Sequence, residues 1–366
     1  MRTEDGILIA GGYGVVGHQI TSLIRQRHSD LPLIIAGRTL DKAESVAHQL
    51  GNASSISLDV EQPNPLEGLK PRAIIAVVND PHDYLLRDAV KNGIPYVDIT
   101  RWSERFKDAI AWLSVEKLKA PVLLSSGWMG GLAAVIAVAL AQSQHQVNSI
   151  DISVLFSTKD KSGPNSVEYM DRLATPFEVM IDGEHRHVFP YTDPRTTTFP
   201  GGYTTKVYRF DTPDLLTLPS TIGAKTVSAR IAFDDASSMN LLRFLTRSGI
   251  WKLISGDCFT PLRRSLLYNP GSGASHEIVI TVSGVDRDGH PIAANAMISD
   301  PKGQTHLTAL GALTQLERLL GLDGTPPPAP GIVYPDTAPQ TDSVLQVLSD
   351  FGVSISSQDF NRPYRK

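Results

Sequence analysis

The stretch Ile7-Leu-Ile-Ala-Gly-Gly-Tyr-Gly-Val-Val-Gly17 limits what this chain can fold into more than any other. Ile7 to Ala10 form an apolar run of the length and texture of a parallel strand buried on both faces. Glycines at 12, 14 and 17 follow at once, and an apolar-periodic helix opens at Val15. This is G-x-G-x-x-G set between a strand and a helix, the context in which the spacing has a mechanism. Gly12 allows the tight turn, Gly14 lets the backbone approach a pyrophosphate, and Gly17 lets the helix lie close to the strand. The helix start offers unbonded N–H groups and partial positive charge to phosphates, with Tyr13, Val15 and Val16 completing the cradle. An ordinary glycine-rich turn is the competing reading, and the flanking strand and helix weigh against it.

The length of 366 residues predicts two domains, each large enough for its own core. Hydrophobic residues at 41% and charged residues at 20% describe a soluble globular chain, and a net charge of -4 gives no reason to expect nucleic acid or an anionic membrane as partner. The single cysteine, Cys258, excludes an internal disulfide and a thiolate metal cluster. It fits a reducing compartment, and a cytoplasmic location is expected. Met1–Gly6 run straight into the first strand, which leaves no room for a signal peptide. The longest apolar run, Leu132 to Ala141, is far short of a membrane span and reads as a buried helix.

From residue 7 to about 147, strands and helices alternate as in a doubly wound α/β sheet. Strands are placed near 7–10, 33–36, 55–58, 73–77, 96–98 and 122–125, with helices near 15–28, 41–50, 82–92, 104–117 and 131–143. Short connections and right-handed crossovers give a Rossmann-type parallel sheet over 1–147. From Asn148 to 304 the texture is that of an α+β substrate domain with a largely antiparallel sheet. Strands are expected at 149–156, 177–181, 186–189, 226–233, 276–284 and 291–298, with hairpin turns at Asp182-Gly183 and Asp288-Gly289. Helices are expected at 166–174, 238–254 and 306–320, and a tail helix at 341–351 beyond the break at Pro326-Pro-Pro-Ala-Pro330.

An NAD site normally ends its second strand with an acid that bonds the ribose hydroxyls. Here that place reads Gly37-Arg38-Thr39 and carries no acid. Arg38 can form a bidentate contact with a 2′-phosphate, Thr39 can add a hydroxyl, and Lys42 lies one helical turn on. The pattern predicts NADP(H) in preference to NAD(H), although Arg38 also suits a solvated surface and Thr39 a helix N-cap. Asp59 follows the third strand beside the expected adenine. Val78, Asn79 and Asp80 follow the fourth, where the nicotinamide ribose is expected, Asp80 also suiting a helix cap. Thr100 and Arg101 follow the fifth strand and Ser125–Gly131 the sixth, so several loops converge on one sheet edge.

Together these residues resemble the saccharopine dehydrogenase (reductase)-like family of NAD(P)-dependent oxidoreductases. The resemblance lies in Gly11–Gly17, Ala36-Gly-Arg-Thr39, Leu58-Asp59, Asn92-Gly-Ile-Pro-Tyr-Val-Asp98 and Gly127–Gly131, and more faintly in Ile150–Ser153, Pro176–Val179 and Thr308–Leu320. It implies a substrate lobe inserted into the chain, with the segment 305–366 returning to the Rossmann domain. It further implies reduction of a C=N bond by NADPH, as in an imine reductase, or of a C=C bond in a lipid or polyketide intermediate. Members that form saccharopine carry an acid where this chain has Met129, and small hydroxyl residues where it has Arg101-Trp102. Saccharopine is therefore not the expected substrate.

Candidate proton donors are Asp98 and Tyr169; Asp98 also suits a strand-end residue holding backbone N–H groups, and Tyr169 a packed position. Arg101, Trp102, Trp128, Met129, Arg172 and Tyr203 are candidates for holding a small or carrier-tethered substrate. A protonated imine needs little acid–base equipment, so a C=N reductase leaves few catalytic marks. No Tyr-x-x-x-Lys dyad and no G-x-S-x-G elbow occurs, and the ten histidines show no metal spacing. A homodimer is the expected assembly. A non-catalytic dinucleotide-binding sensor is the competing reading, and a second lobe large enough to roof a substrate favours an enzyme.

Overall fold

The computed structural model describes residues 5–125, 127–161, 172–173, 175–254, 259 and 271–357. Contacts divide the chain into two compact units, Met1–Trp128 with Thr308–Thr337 and Met129–Leu307 with Ala338–Lys366. Residues 129–147 and the segment after Thr337 thus group with the second unit.

The first unit holds β1 (Ile7–Ala10), α1 (Val15–Arg27), β2 (Leu33–Gly37), α2 (Leu40–Leu50), β3 (Ala53–Ser57), β4 (Ala73–Ala76), α3 (Tyr84–Asn92), β5 (Tyr96–Asp98), α4 (Ser103–Leu113) and β6 (Pro121–Leu124). Most of α9 (Gln304–Leu320) and all of β15 (Gly331–Val333) complete it. The seven strands run parallel in the order β15-β6-β5-β4-β1-β2-β3. This is the doubly wound order, with the switch in winding direction between β1 and β4. Strands β1, β2 and β4 are buried at every position, which is why their sequences are unbroken apolar runs rather than alternating ones. The edge strand β3 (Ala-Ser-Ser-Ile-Ser) is more polar and only half-buried.

The second unit carries α5 (Leu132–Ala141), β7 (Gln146–Phe156), β8 (Phe177–Ile181), β9 (Glu184–Val188), β10 (Arg195–Thr198), β11 (Thr204–Arg209), α6 (Asp214–Ile222), β12 (Thr226–Phe233), α7 (Ala236–Arg247), α8 (Ile250–Leu253), β13 (His276–Val285), β14 (Pro291–Asp300), α10 (Thr341–Asp350) and β16 (Ser354–Ser356). Seven strands form a sheet in the order β10-β11-β12-β7-β13-β14-β16, in which only the β7–β12 pair is parallel. The sheet is largely antiparallel, as the alternating sequences require. Ile150, Ile152 and Val154 of β7 stand in register with Val282, Ile280 and Ile278 of β13 and make a buried apolar face, against which α5 packs. The opposite face is polar: the Arg230 guanidinium donates to Asp151 at 2.9 Å and to Asp193 at 2.6 Å.

The Asp182-Gly183 pair turns the β8–β9 hairpin with φ of 52° and 82°, a conformation these two residues accept more readily than most. The helix expected over 238–254 is two helices, because Gly249 sits at φ 80° and interrupts the hydrogen-bond ladder. Its true start is set by Asp235, whose carboxylate accepts from the N–H groups of Ser237 and Ser238. The helix expected at 166–174 lies almost wholly outside the described residues. Among the described residues no helix is long and apolar enough to cross a membrane.

His276 is fully buried at the start of β13, edge-on to Phe156 with ring centroids 5.1 Å apart. Burial pulls its pKa down to about 3. The unfolded chain therefore binds a proton more readily, and His276 costs the fold stability as pH falls from 6.5 toward 3. Chemical denaturation of wild type and His276→Leu at pH 6 and pH 4 tests this. The free-energy difference should move in favour of the variant by about 1.4 kcal/mol per pH unit. An unchanged difference would show that His276 takes up its proton within the folded state.

Candidate functional site

In a wholly parallel sheet every loop that follows a strand emerges at the same edge. The turn 11–14 after β1, Arg38-Thr39 after β2, Leu58-Asp59 after β3, 77–80 after β4, 99–102 after β5 and residues 125, 127 and 128 after β6 therefore share the carboxyl edge of the first unit. That edge, beside the switch point, is where open α/β sheets bind ligands.

The turn after β1 has no room for a side chain at Gly11 or Gly17. A Cβ on Gly17 would lie 2.1 Å from the Gly11 carbonyl oxygen, and one on Gly11, at φ 87°, would lie 2.5 Å from Val78 Cγ1. The first bond of α1 runs from His18 N to Gly14 O at 2.8 Å, so the N–H groups of Val15, Val16 and Gly17 have no partner within the helix. Gly14 caps the helix without a side chain, and no acid occupies the first turn. These are the properties an anion cradle needs, and they fit a dinucleotide pyrophosphate.

The loop after β2 is held by Tyr13. A Cβ on Gly37 would meet the Tyr13 ring at 2.4 Å, and the Tyr13 hydroxyl accepts from Thr39 N at 3.2 Å. Tyr13 thus packs over Gly37 and fixes the direction of the next residues. Arg38 is 75% exposed, with only a 3.9 Å ion pair to the equally open Glu61. Lys42 is exposed and Thr39 makes no capping hydrogen bond with its side chain, so three donors stand open at one place. Asp59, half-buried, accepts from Glu61 N and shapes its own turn.

Beyond β4 and β5 the same edge is knitted by charge. Asp98 is buried; one carboxylate oxygen accepts from Thr100 N and Thr100 Oγ1 at 2.9 and 2.8 Å, the other from Arg101 Nε at 2.8 Å. Arg101 is fully buried and reaches Asp83 at 2.8 Å. Burial works against its charge, but Asp98, Tyr96 and Asp83 outweigh burial and hold the guanidinium protonated well beyond the usual range. Arg105 binds Asp83 at 2.9 Å and also donates to Asn79 Oδ1 and the Asp80 carbonyl. Asp80 lies three residues before Asp83, the N-cap of α3, and its carboxylate accepts from the N–H groups of Tyr84 and Leu85 at 2.9 and 2.8 Å. Burial pushes its pKa up, Asp83 adds to this, and the three N–H groups of residues 84–86 oppose it.

Trp102 is half-buried at the start of α4 under Arg105, 5.4 Å from its ring, and Trp128 is buried in the first unit. Met129, Arg172 and Tyr203 belong to the second unit, the first two half-buried and Tyr203 exposed. Tyr169 lies outside the described residues.

Sequence reasoning missed Asp83 and Arg105, which join the loops after β4 and β5. Their signal was the pair of i,i+3 and i,i+4 spacings, Asp80-x-x-Asp83 and Arg101-x-x-x-Arg105. It also missed a buried polar centre in the second unit. There Asp300 holds His306 Nδ1 at 2.8 Å, while His306 Nε2 is buried without a hydrogen-bond partner among the described residues. Asp160 accepts from Gln304 N at 2.8 Å, and burial raises its pKa to about 6. These residues come from separate elements, so no spacing announces them.

No family model and no curated protein matches the sequence. Solved structures do. Saccharopine dehydrogenase (L-Glu forming) from Saccharomyces cerevisiae aligns with a TM-score of 0.64 at 14% identity, covering 96% of this chain and 99% of that one. The chain shares that fold. A meso-dapdh mutant from Clostridium tetani aligns with a TM-score of 0.45 at 14% identity over 94% and 99% of the two chains. A myo-inositol dehydrogenase from Corynebacterium glutamicum gives 0.42 at 14% identity over 98% of each. The resemblance read from the glycine turn and its partner loops is thus met at the level of architecture.

Removing Asp98 should expose how much the buried charges depend on one another. Asp98→Ala leaves Arg101 buried with Asp83 as its remaining carboxylate and is expected to cost about 3–5 kcal/mol in urea denaturation. The double variant Asp98→Ala/Arg101→Met should recover a large part of that loss. A single variant as stable as wild type would contradict the assignment.

Proposed function

We propose that this chain is an NADP(H)-dependent oxidoreductase that reduces a C=N bond, an imine, in a small or carrier-tethered substrate other than saccharopine. The observation that carries the reading is the pairing of a side-chain-free cradle at α1 with an open, cationic end of β2. Gly12, Gly14 and Gly17, with the N–H groups of residues 15–17, would hold the pyrophosphate. Gly37 and Tyr13 direct Arg38, Thr39 and Lys42 outward, where a 2′-phosphate would give them a partner and a bare ribose would not. The shared fold with an enzyme named as a dehydrogenase supports the oxidoreductase class.

When bound, the nicotinamide supplies a hydride. The protein's part is to orient the two reactants and manage the proton. At the carboxyl edge Asp98 would have to break its bonds to Thr100 and Arg101 before serving as a proton donor. A protonated imine needs no such donor, whereas a C=C acceptor does, and this favours the C=N reading. Reduction of a C=C bond in a lipid or polyketide intermediate is the second reading, supported by the apolar character of Trp102, Trp128 and Met129.

Fluorescence titration of NADPH and NADH against wild type and Arg38→Ala checks the cofactor assignment. The variant should bind NADPH about tenfold more weakly or worse, a loss of about 1.4 kcal/mol or more, with NADH unchanged. Equal losses for both nucleotides, or none, would contradict the preference for NADP(H).

A further inference from the structure

The amino edge of the same parallel sheet holds a cleft of about 680 Å³ that the cofactor reading does not use. This volume falls within the range of small-molecule sites. The cleft lies wholly within the first unit. It is built from the approach to β1, the end of α1 with the turn into β2, the approach to β4 and the turn after α9. The glycine turn leaves the opposite end of β1, so the two places are separated by the full length of that strand.

The lining carries both signs of charge. Glu317, 2% exposed, holds Arg27 Nε at 2.5 Å and His28 Nε2 at 2.7 Å on one carboxylate oxygen, which fixes those two side chains as a rigid wall. Arg72, at the approach to β4, is exposed and makes no ion pair with a described residue. Asp5 and Asp30 supply carboxylates, and Leu31, Pro32 and Leu322 supply an apolar lining. A bound anion would face Asp5 and Asp30, and a bound cation would face Arg27 and Arg72. A ligand carrying both charges meets neither penalty.

We infer that this cleft binds a free α-amino acid with an aliphatic side chain. Its carboxylate pairs with Arg72, its ammonium with Asp5 or Asp30, and its side chain lies on Leu31, Pro32 and Leu322. Arg72 is suited to the first task because a guanidinium grips a carboxylate through two parallel hydrogen bonds.

Thermal denaturation of the full chain with 10 mM L-leucine, 4-methylpentanoate or 3-methylbutylamine tests the inference. L-Leucine should raise the melting temperature by about 2 °C or more, and the two single-charge analogues should not. Arg72→Ala and the double variant Asp5→Asn/Asp30→Asn alter exposed side chains, so the variants should melt as wild type does without ligand and should lose the shift. No shift with L-leucine would overturn the proposal. So would a shift that survives in both variants, or one matched by either analogue. NADPH titration of the same variants should be unchanged, so failure here is distinguishable from failure of the cofactor assignment.

Discussion

The first unit depends on a close approach between two pieces of backbone. Helix α1 begins against the turn that follows β1, and a single Cβ on Gly17 would stand 2.1 Å from a carbonyl oxygen of that turn. Because nothing fills this gap, the first N–H groups of the helix face the carboxyl edge of the sheet without a side-chain cap. Sheet order does the rest. With β1 between β2 and β4, the chain winds away from the turn in both directions, and every loop that could complete a site returns to the same edge.

Charge at that edge is divided between two uses. Arg101 and Asp98 are buried and spend their hydrogen bonds on each other, Thr100 and Asp83, which makes the loops after β4 and β5 a fixed wall. Arg38, after β2, and Lys42, in the first turn of α2, make no such buried contacts and stay in solvent. A desolvated ion pair is costly to break and therefore positions its surroundings. An open guanidinium contributes little to the fold and is available to a ligand.

The carboxyl edge of the parallel sheet was legible in the sequence because its signals are local. Apolar runs mark strands buried on both faces, and Gly17 marks a backbone approach that no other residue permits. Non-local features were not legible. Strand β15 is three residues long and joins the sheet only because Ile332 pairs with Val122 far upstream. Strand β10 (Arg-Thr-Thr-Thr) has no apolar face, and α6 begins after Pro213 and contains Pro219, which reads as a loop. Arg101 stands in the sequence as a candidate for holding the substrate, with nothing beside it to show that it is buried. Its burial follows from Asp98 and Asp83, which approach it from different loops. The His306–Asp300 pair is hidden for the same reason, since the strand end and the helix start meet only in the folded second unit.

A crystal structure with NADPH would show directly where the nucleotide lies. The pyrophosphate is expected against the N–H groups of Val15, Val16 and Gly17, and the 2′-phosphate within hydrogen-bond distance of the Arg38 guanidinium. A nucleotide bound away from the carboxyl edge of the parallel sheet, or with its 2′-phosphate clear of Arg38, Thr39 and Lys42, would contradict that placement.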